Sequence, residues 1–181
     1  LVTEFVSGMD AAKLAKHRNG KLDWREVVQI IEQTLSALDY AHSLGFVHRD
    51  IKEQNILVSG TSPNLISKLT DFGLSKSYMQ TGMSGVTMVG DVAGTIAYMP
   101  PEQVRDFKEV RPPSDIYSVG MTAYSLLTST HPLDIGPKAG ISATVKAIFD
   151  KPIIPIEQRI QGVPRKVAAV IETALAKQVE L

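Results

Sequence analysis

The strongest constraint on the fold lies between residues 24 and 44, where Trp24, Val27, Val28, Ile31, Leu35 and Leu38 recur at helical spacing. Asp23 followed by Glu26 has the arrangement of a capping box, and Gly45 supplies a natural stop. The pattern predicts a capped amphipathic helix over 24–44, whose apolar stripe must be covered by other parts of the chain. A second helix is predicted over 114–129, apolar on most sides and hence buried. Between them, Asn55–Val58 and Leu65–Thr70 are β-rich runs joined by the turn-prone SGTSPN, which predicts a hairpin.

Residues 1–6, LVTEFV, predict a short strand, Ser7-Gly8 a turn, and residues 9–18 a short helix. Residues 73–99 are rich in Gly, Ser, Thr and Met without a sustained period, the pattern of a long functional loop or of disorder. Proline pairs at 100–101 and 112–113 read as turns. Helices are predicted at 141–149 and after Pro164, where Val167, Val170, Ile171, Ala174 and Leu175 share a face. That last helix is expected to run to the end of the chain. The expected class is thus mainly α (α+β) with a small β-hairpin.

Composition narrows the function. At 181 residues one domain can bury a sizeable core. Lys plus Arg (19) equals Asp plus Glu (19), so nucleic-acid binding through bulk positive charge is excluded. Cys is absent, which excludes disulfides and thiolate metal sites and fits a reducing compartment. No apolar run approaches the roughly 18 residues of a membrane span, so no membrane contact is expected from this segment. The chain lacks an initial Met and opens inside an apolar stretch, which suggests a fragment.

Chemistry concentrates in HRDIKEQN at 48–55, between the long helix and the hairpin, and in DFG at 71–73. Any one of Asp50, Lys52, Asn55 and Asp71 alone would pass for a solvated loop residue. Their ordered spacing is far more restrictive. The series resembles the catalytic core of the protein kinase family. The resemblance implies the large C-terminal lobe of that fold, ATP and Mg²⁺ as cofactors, and protein substrates. Asp50 would accept the proton of the substrate hydroxyl, and Lys52 would neutralise charge on the transferring γ-phosphoryl. Asn55 and Asp71 would offer hard oxygen ligands to Mg²⁺. His48 would support the loop, whereas His42 and His17 read as an ordinary helix residue and a surface residue.

Further matches cover nearly the whole chain. GTIAYMPPE at 94–102 resembles the end of an activation segment, and SDIYSVG at 114–120 the start of the central buried helix. In the family the Asp of that helix, here Asp115, braces the catalytic loop through backbone hydrogen bonds. LVTEFVSG resembles the last small-lobe strand and hinge. Thr3 would guard the back of the nucleotide pocket, the Glu4 carbonyl and Val6 backbone would bind adenine, Leu57 would form the adenine floor, and Asp10 could reach the ribose. Lys52 with Thr95 points to the Ser/Thr branch, and Thr95 is expected to hydrogen-bond near Asp50 and Lys52. KEQN departs from the commoner KPEN, and PPE from APE, without touching a catalytic side chain. YMPPEQV and ALAKQ resemble the Ser/Thr kinases of bacteria. Arg49 would pair with an activating phosphate, with Thr81, Ser84 and Thr87 as acceptors and Asp91 partly mimicking that charge.

The resemblance divides the chain into the last small-lobe strand and hinge (1–8) and an incomplete large lobe (9–181). No G-x-G-x-x-G loop, strand Lys or partner-helix Glu occurs in the kinase order, so the small lobe is expected to be missing and the isolated chain inactive. The Arg that the family pairs with the PPE glutamate is absent as well, leaving Glu102 a partly buried carboxylate without its usual partner. Two other readings stand beside the active kinase. A pseudokinase or scaffold is opposed by intact Asp50, Asn55 and Asp71. A small-molecule kinase is opposed by the long segment ending GTIAYMPPE, which would build a peptide platform. The expected location is cytoplasmic.

Overall fold

The computed structural model describes residues 4–72, 94–136 and 139–177. In chain order its regular elements are β1 (Met9–Asp10), α1 (Ala11–His17), α2 (Trp24–Ser43), β2 (Ile56–Thr61), β3 (Asn64–Leu69), α3 (Pro101–Arg105), α4 (Pro112–Thr128), α5 (Ile141–Asp150) and α6 (Arg165–Ala174). Short 3-10 turns occur at Glu53–Asn55, Phe107–Glu109 and Ile156–Gln158. The mainly helical α+β class is the one expected, and no described helix is long and apolar enough to cross a membrane.

Helix α2 is closed at both ends. Asp23 Oδ1 accepts from the Arg25 N–H at 2.9 Å. Glu26 does not complete the expected capping box; it is buried and faces Arg18 at 3.5 Å. At the other end Gly45, at φ +80°, donates to the His42 carbonyl while the Phe46 N–H donates to Ala41. This Schellman closure needs the left-handed backbone that glycine adopts at no steric cost. The buried stripe runs through Val27, Ile30, Thr34, Leu38 and Ala41. It is rotated from the expected one, so Leu35 is exposed, because β3 and α4 both press on the Ile30 side.

Helix α4 starts at Pro112, two residues earlier than expected. Pro112 and Pro113 occupy its first turn, where a missing N–H costs nothing. Tyr117, Val119, Met121, Tyr124, Leu126 and Leu127 are all buried, and each of the Val, Met and Leu side chains contributes about 1.5–3 kcal/mol of burial free energy. Together with Val27 and Ile30 of α2, Ile56 and Val58 of β2 and Ile171 of α6, most of them form the main core.

The sheet has the order β1-β2-β3 and is antiparallel throughout. The hairpin turn shrinks to Ser62-Pro63, since Thr61 pairs with Asn64. The strand expected over 1–6 is not seen in its described part: residues 4–6 pair with no described strand, and Phe5 is 88% exposed. Pairing falls instead to Met9 and Asp10, opposite Val58 and Leu57. Gly8 permits this, because a Cβ there would lie 2.1 Å from the Val58 carbonyl oxygen.

Three further expectations change. Residues 94–96 form a helical turn rather than loop, with Ala97 and Met99 buried behind it. Pro101 starts α3 instead of a turn, again at a first-turn site. Helix α6 stops at Ala174, where the Leu175 N–H turns back to the Ile171 and Glu172 carbonyls and Lys177 Nζ bonds the carbonyls of Ala147 and Lys151.

Candidate active site

The segment after α2 is held by a carboxylate from α4. Asp115, 1% exposed, accepts from the His48 N–H through Oδ2 and from the Arg49 N–H through Oδ1, both at 2.8 Å. A buried carboxylate on two backbone donors makes short, charge-assisted bonds. His42 Nε2 lies 2.8 Å from the same Oδ2. His42 is therefore part of the brace, not the ordinary helix residue the sequence suggested, while His17 is exposed as expected.

His48 is fully buried. Its Nε2 lies 2.8 Å from the Thr70 carbonyl, and its Nδ1 is 3.3 Å from the Asp50 N–H. One ring nitrogen must donate and the other accept, which assigns the neutral imidazole with its proton on Nε2. Burial lowers its pKa in the same sense, outweighing the Thr70 hydrogen bond. The ring also meets Phe72 edge-on at 4.6 Å, tying the loop to the DFG segment.

Two side chains meet Asp50 directly, and a third joins through one of them. Lys52 Nζ lies 3.1 Å from Asp50 Oδ2 and donates to Thr95 Oγ1 at 3.2 Å. Asn55 Nδ2 donates to the Asp50 carbonyl at 2.7 Å and to Oδ2 at 3.0 Å. Among the described residues the side-chain contacts to the Asp50 carboxylate fall on Oδ2. Thr70 completes the link: its N–H donates to the Asn55 carbonyl at 2.9 Å, and Asp71 follows directly, exposed and at φ +64°. Arg49 is likewise left-handed at φ +71°. Each such non-glycine residue costs about 1–2 kcal/mol, so both are held by their surroundings. The Arg49 guanidinium rests over Phe107 at 5.3 Å.

A second group forms on the sheet. Asp10 pairs in register with Leu57, which pairs with Lys68, and the Lys68 ammonium meets the Glu4 carboxylate. Leu57 is half-buried between buried Ile56 and Val58, and Val6 is also half-buried. Asp10 caps α1, accepting from the Lys13 N–H at 2.8 Å and facing Lys13 Nζ at 2.9 Å. Burial pushes its pKa up, but the Lys13 contacts outweigh that and leave it lowered. Glu102 is half-buried and accepts from Ser114 Oγ at 2.8 Å. Thr3, Thr81, Ser84, Thr87 and Asp91 lie outside the described residues. The sequence reading missed His42 and also Gln103, whose contacts come from residues more than fifty positions away.

Asp50, Lys52 and Asn55 thus lie together on one α4-braced loop, with Thr95 bonded to the lysine. A profile described as the protein kinase domain matches residues 1–180, and the chain belongs to the protein kinase family. It is 36% identical over 182 residues to a probable serine/threonine-protein kinase PknB of Lactococcus lactis. It is 33% identical over 181 residues to the serine/threonine-protein kinase PknB of Mycobacterium tuberculosis. Each alignment covers 99% of this chain and 27% of the relative, so the chain spans about a quarter of the length of these curated relatives. The crystal structure of the Rad53 kinase domain and SCD2 in complex with AMPPNP superposes with a TM-score of 0.71 at 24% identity, covering 97% of this chain and 60% of that one. The fold is that of a protein kinase.

Proposed function

We propose that this chain carries the large lobe of a bacterial-type serine/threonine protein kinase, which moves the ATP γ-phosphoryl group onto Ser and Thr hydroxyls of protein substrates. The observation that carries the reading is the convergence of Lys52 and Asn55 on Asp50, with Thr95 held on Lys52, all at 3.2 Å or less. Asp50 Oδ1 orients the acceptor hydroxyl and takes its proton as the oxygen attacks phosphorus. Lys52, fixed between Asp50 and Thr95, brings one positive charge to the transferring group. Thr95 fixes that lysine and joins the end of the activation segment to the catalytic loop.

The donor set fits Mg²⁺. Asn55 spends its amide N–H groups on Asp50, so its oxygen is the atom left for a cation, and Asp71 adds an exposed carboxylate. An ion that keeps its other sites for water and phosphate asks for few protein ligands. When bound, it would offset the charge of the ATP phosphates. On the sheet, the Glu4 carbonyl and Val6 backbone bind adenine above Leu57, and Asp10 shares its carboxylate between Lys13 and the ribose. A small lobe with a Gly-rich loop and strand Lys completes the clamp in this reading, and residues 1–181 alone are inactive. Arg49 exchanges Phe107 for a phosphate on Thr81, Ser84 or Thr87, with Asp91 supplying part of that charge beforehand. Catalysis is cytoplasmic, where MgATP is supplied.

The test is transfer of labelled phosphate from MgATP by the purified full-length protein to a peptide library presenting Ser, Thr or Tyr. Label on Ser and Thr peptides is expected. Transfer to tyrosine only, or to a small-molecule alcohol but no peptide, would overturn the reading.

A further inference from the structure

The peptide unit between Arg49 and Asp50 is gripped at every polar atom, and one grip comes from outside the elements that the family roles invoke. Arg49 sits at φ +71°, a conformation that an L residue carrying a Cβ leaves unless held. Its own N–H is taken by Asp115 Oδ1 at 2.8 Å. The Asp50 N–H points to His48 Nδ1. The remaining atom, the Arg49 carbonyl oxygen, accepts from Gln103 Nε2 at 2.8 Å. Gln103 lies on α3, is 3% exposed, and reaches across 54 residues of sequence to make this bond. The next turn of the same segment, Phe107–Glu109, holds the Arg49 guanidinium over Phe107.

We propose that Gln103 is a positioning residue for phosphoryl transfer, acting through the left-handed Arg49 peptide on the placement of Asp50. The inference rests on the kinase reading given above. Rotating the Arg49–Asp50 peptide swings the Asp50 Cα and carboxylate together, so a donor fixed on the carbonyl sets where Oδ1 stands. Because Gln103 directly follows the PPE that ends the activation segment, it also transmits the seating of that segment to the catalytic loop. Near-attack geometry tolerates little: a misplacement of about 1 Å can cost on the order of 100-fold in rate.

The experiment compares wild type, Asp50→Asn, Gln103→Met, Arg49→Gly and the Gln103→Met/Arg49→Gly double variant in the full-length protein. Peptide phosphorylation gives kcat and KM, and MgADP titration gives nucleotide affinity. Gln103→Met keeps length and volume but donates nothing. Its kcat is expected to fall about 10-fold or more, with MgADP affinity and the ATP KM nearly unchanged. Glycine takes positive φ freely, so the same substitution is expected to cost less in the Arg49→Gly background. If the Met variant fails to bind MgADP, Gln103→Leu, smaller and equally without a donor, is read in its place. A wild-type kcat in the folded variant, or an equal loss in both backgrounds, would overturn the proposal while Asp50→Asn still abolishes transfer. Peptide transfer that survives Asp50→Asn would instead overturn the kinase assignment of the loop and this inference with it.

Discussion

Replacing Asp115 with asparagine perturbs the catalytic loop at its support without touching a reacting group. The native carboxylate, itself 1% exposed, holds two backbone N–H groups at 2.8 Å and a histidine nitrogen at 2.8 Å. Asparagine keeps one acceptor oxygen and turns an NH₂ toward one of those donors. One charge-assisted bond worth about 1.5–3 kcal/mol is lost, and a buried N–H left unpaired adds about 1–3 kcal/mol. The expected destabilisation is roughly 3–5 kcal/mol. At roughly 2–4 °C per kcal/mol for a chain of this size, that lowers the melting temperature by about 6–20 °C. Urea unfolding followed by tryptophan fluorescence at Trp24 reads it directly, because the midpoint moves while the slope stays constant. His42→Ala, which leaves both backbone bonds in place, should cost only about 1 kcal/mol. A midpoint for Asp115→Asn within about 0.5 kcal/mol of wild type, the size of an inconsequential surface change, would refute the bracing argument.

Two other outcomes follow from the site. Asp71→Asn is expected to weaken Mg²⁺-dependent ATP binding by about 10-fold or more, since it removes the charged member of a two-residue donor set; unchanged MgATP affinity by calorimetry would contradict that role. In a Glu53→Gln background, which removes a buried carboxyl whose raised pKa works in the opposite sense, stability should also fall as pH drops below 6.5, because burial holds the folded-state pKa of His48 and of His131 below that ordinary value. The unfolded chain then binds protons first, so stability is complete above pH 6.5 and is lost as pH falls toward the folded-state values. A urea midpoint that is flat or rises between about pH 7.5 and 5 would contradict it.

Much of this was legible in the sequence where the signal is local. The helix over 24–44, the hairpin and the spacing of Asp50, Lys52, Asn55 and Asp71 each rest on neighbours within a few turns. What escaped depends on distant partners. His42 looks like any polar helix residue until Asp115, 73 positions away, arrives beside it. Gln103 carries no local signal until α3 brings it to the Arg49 carbonyl. Prolines misled twice, at Pro101 and Pro112, because the residue that breaks a helix interior also starts one well. The strand expected over 1–6 is not seen in residues 4–6, whereas the pairing at Met9–Asp10 depends on the bare Cα of Gly8 against Val58.

The central claim is that Asp50 orients and deprotonates the acceptor hydroxyl without holding the nucleotide. Asp50→Asn preserves the side-chain shape and the Asn55 bond to the backbone carbonyl of residue 50, while removing the base. Measured side by side in the full-length protein, phosphate transfer to a Ser or Thr peptide should fall by about 10²–10⁴-fold or more, with MgATP affinity nearly unchanged. Transfer at the wild-type rate, or a loss explained wholly by failure to bind MgATP, would contradict the account.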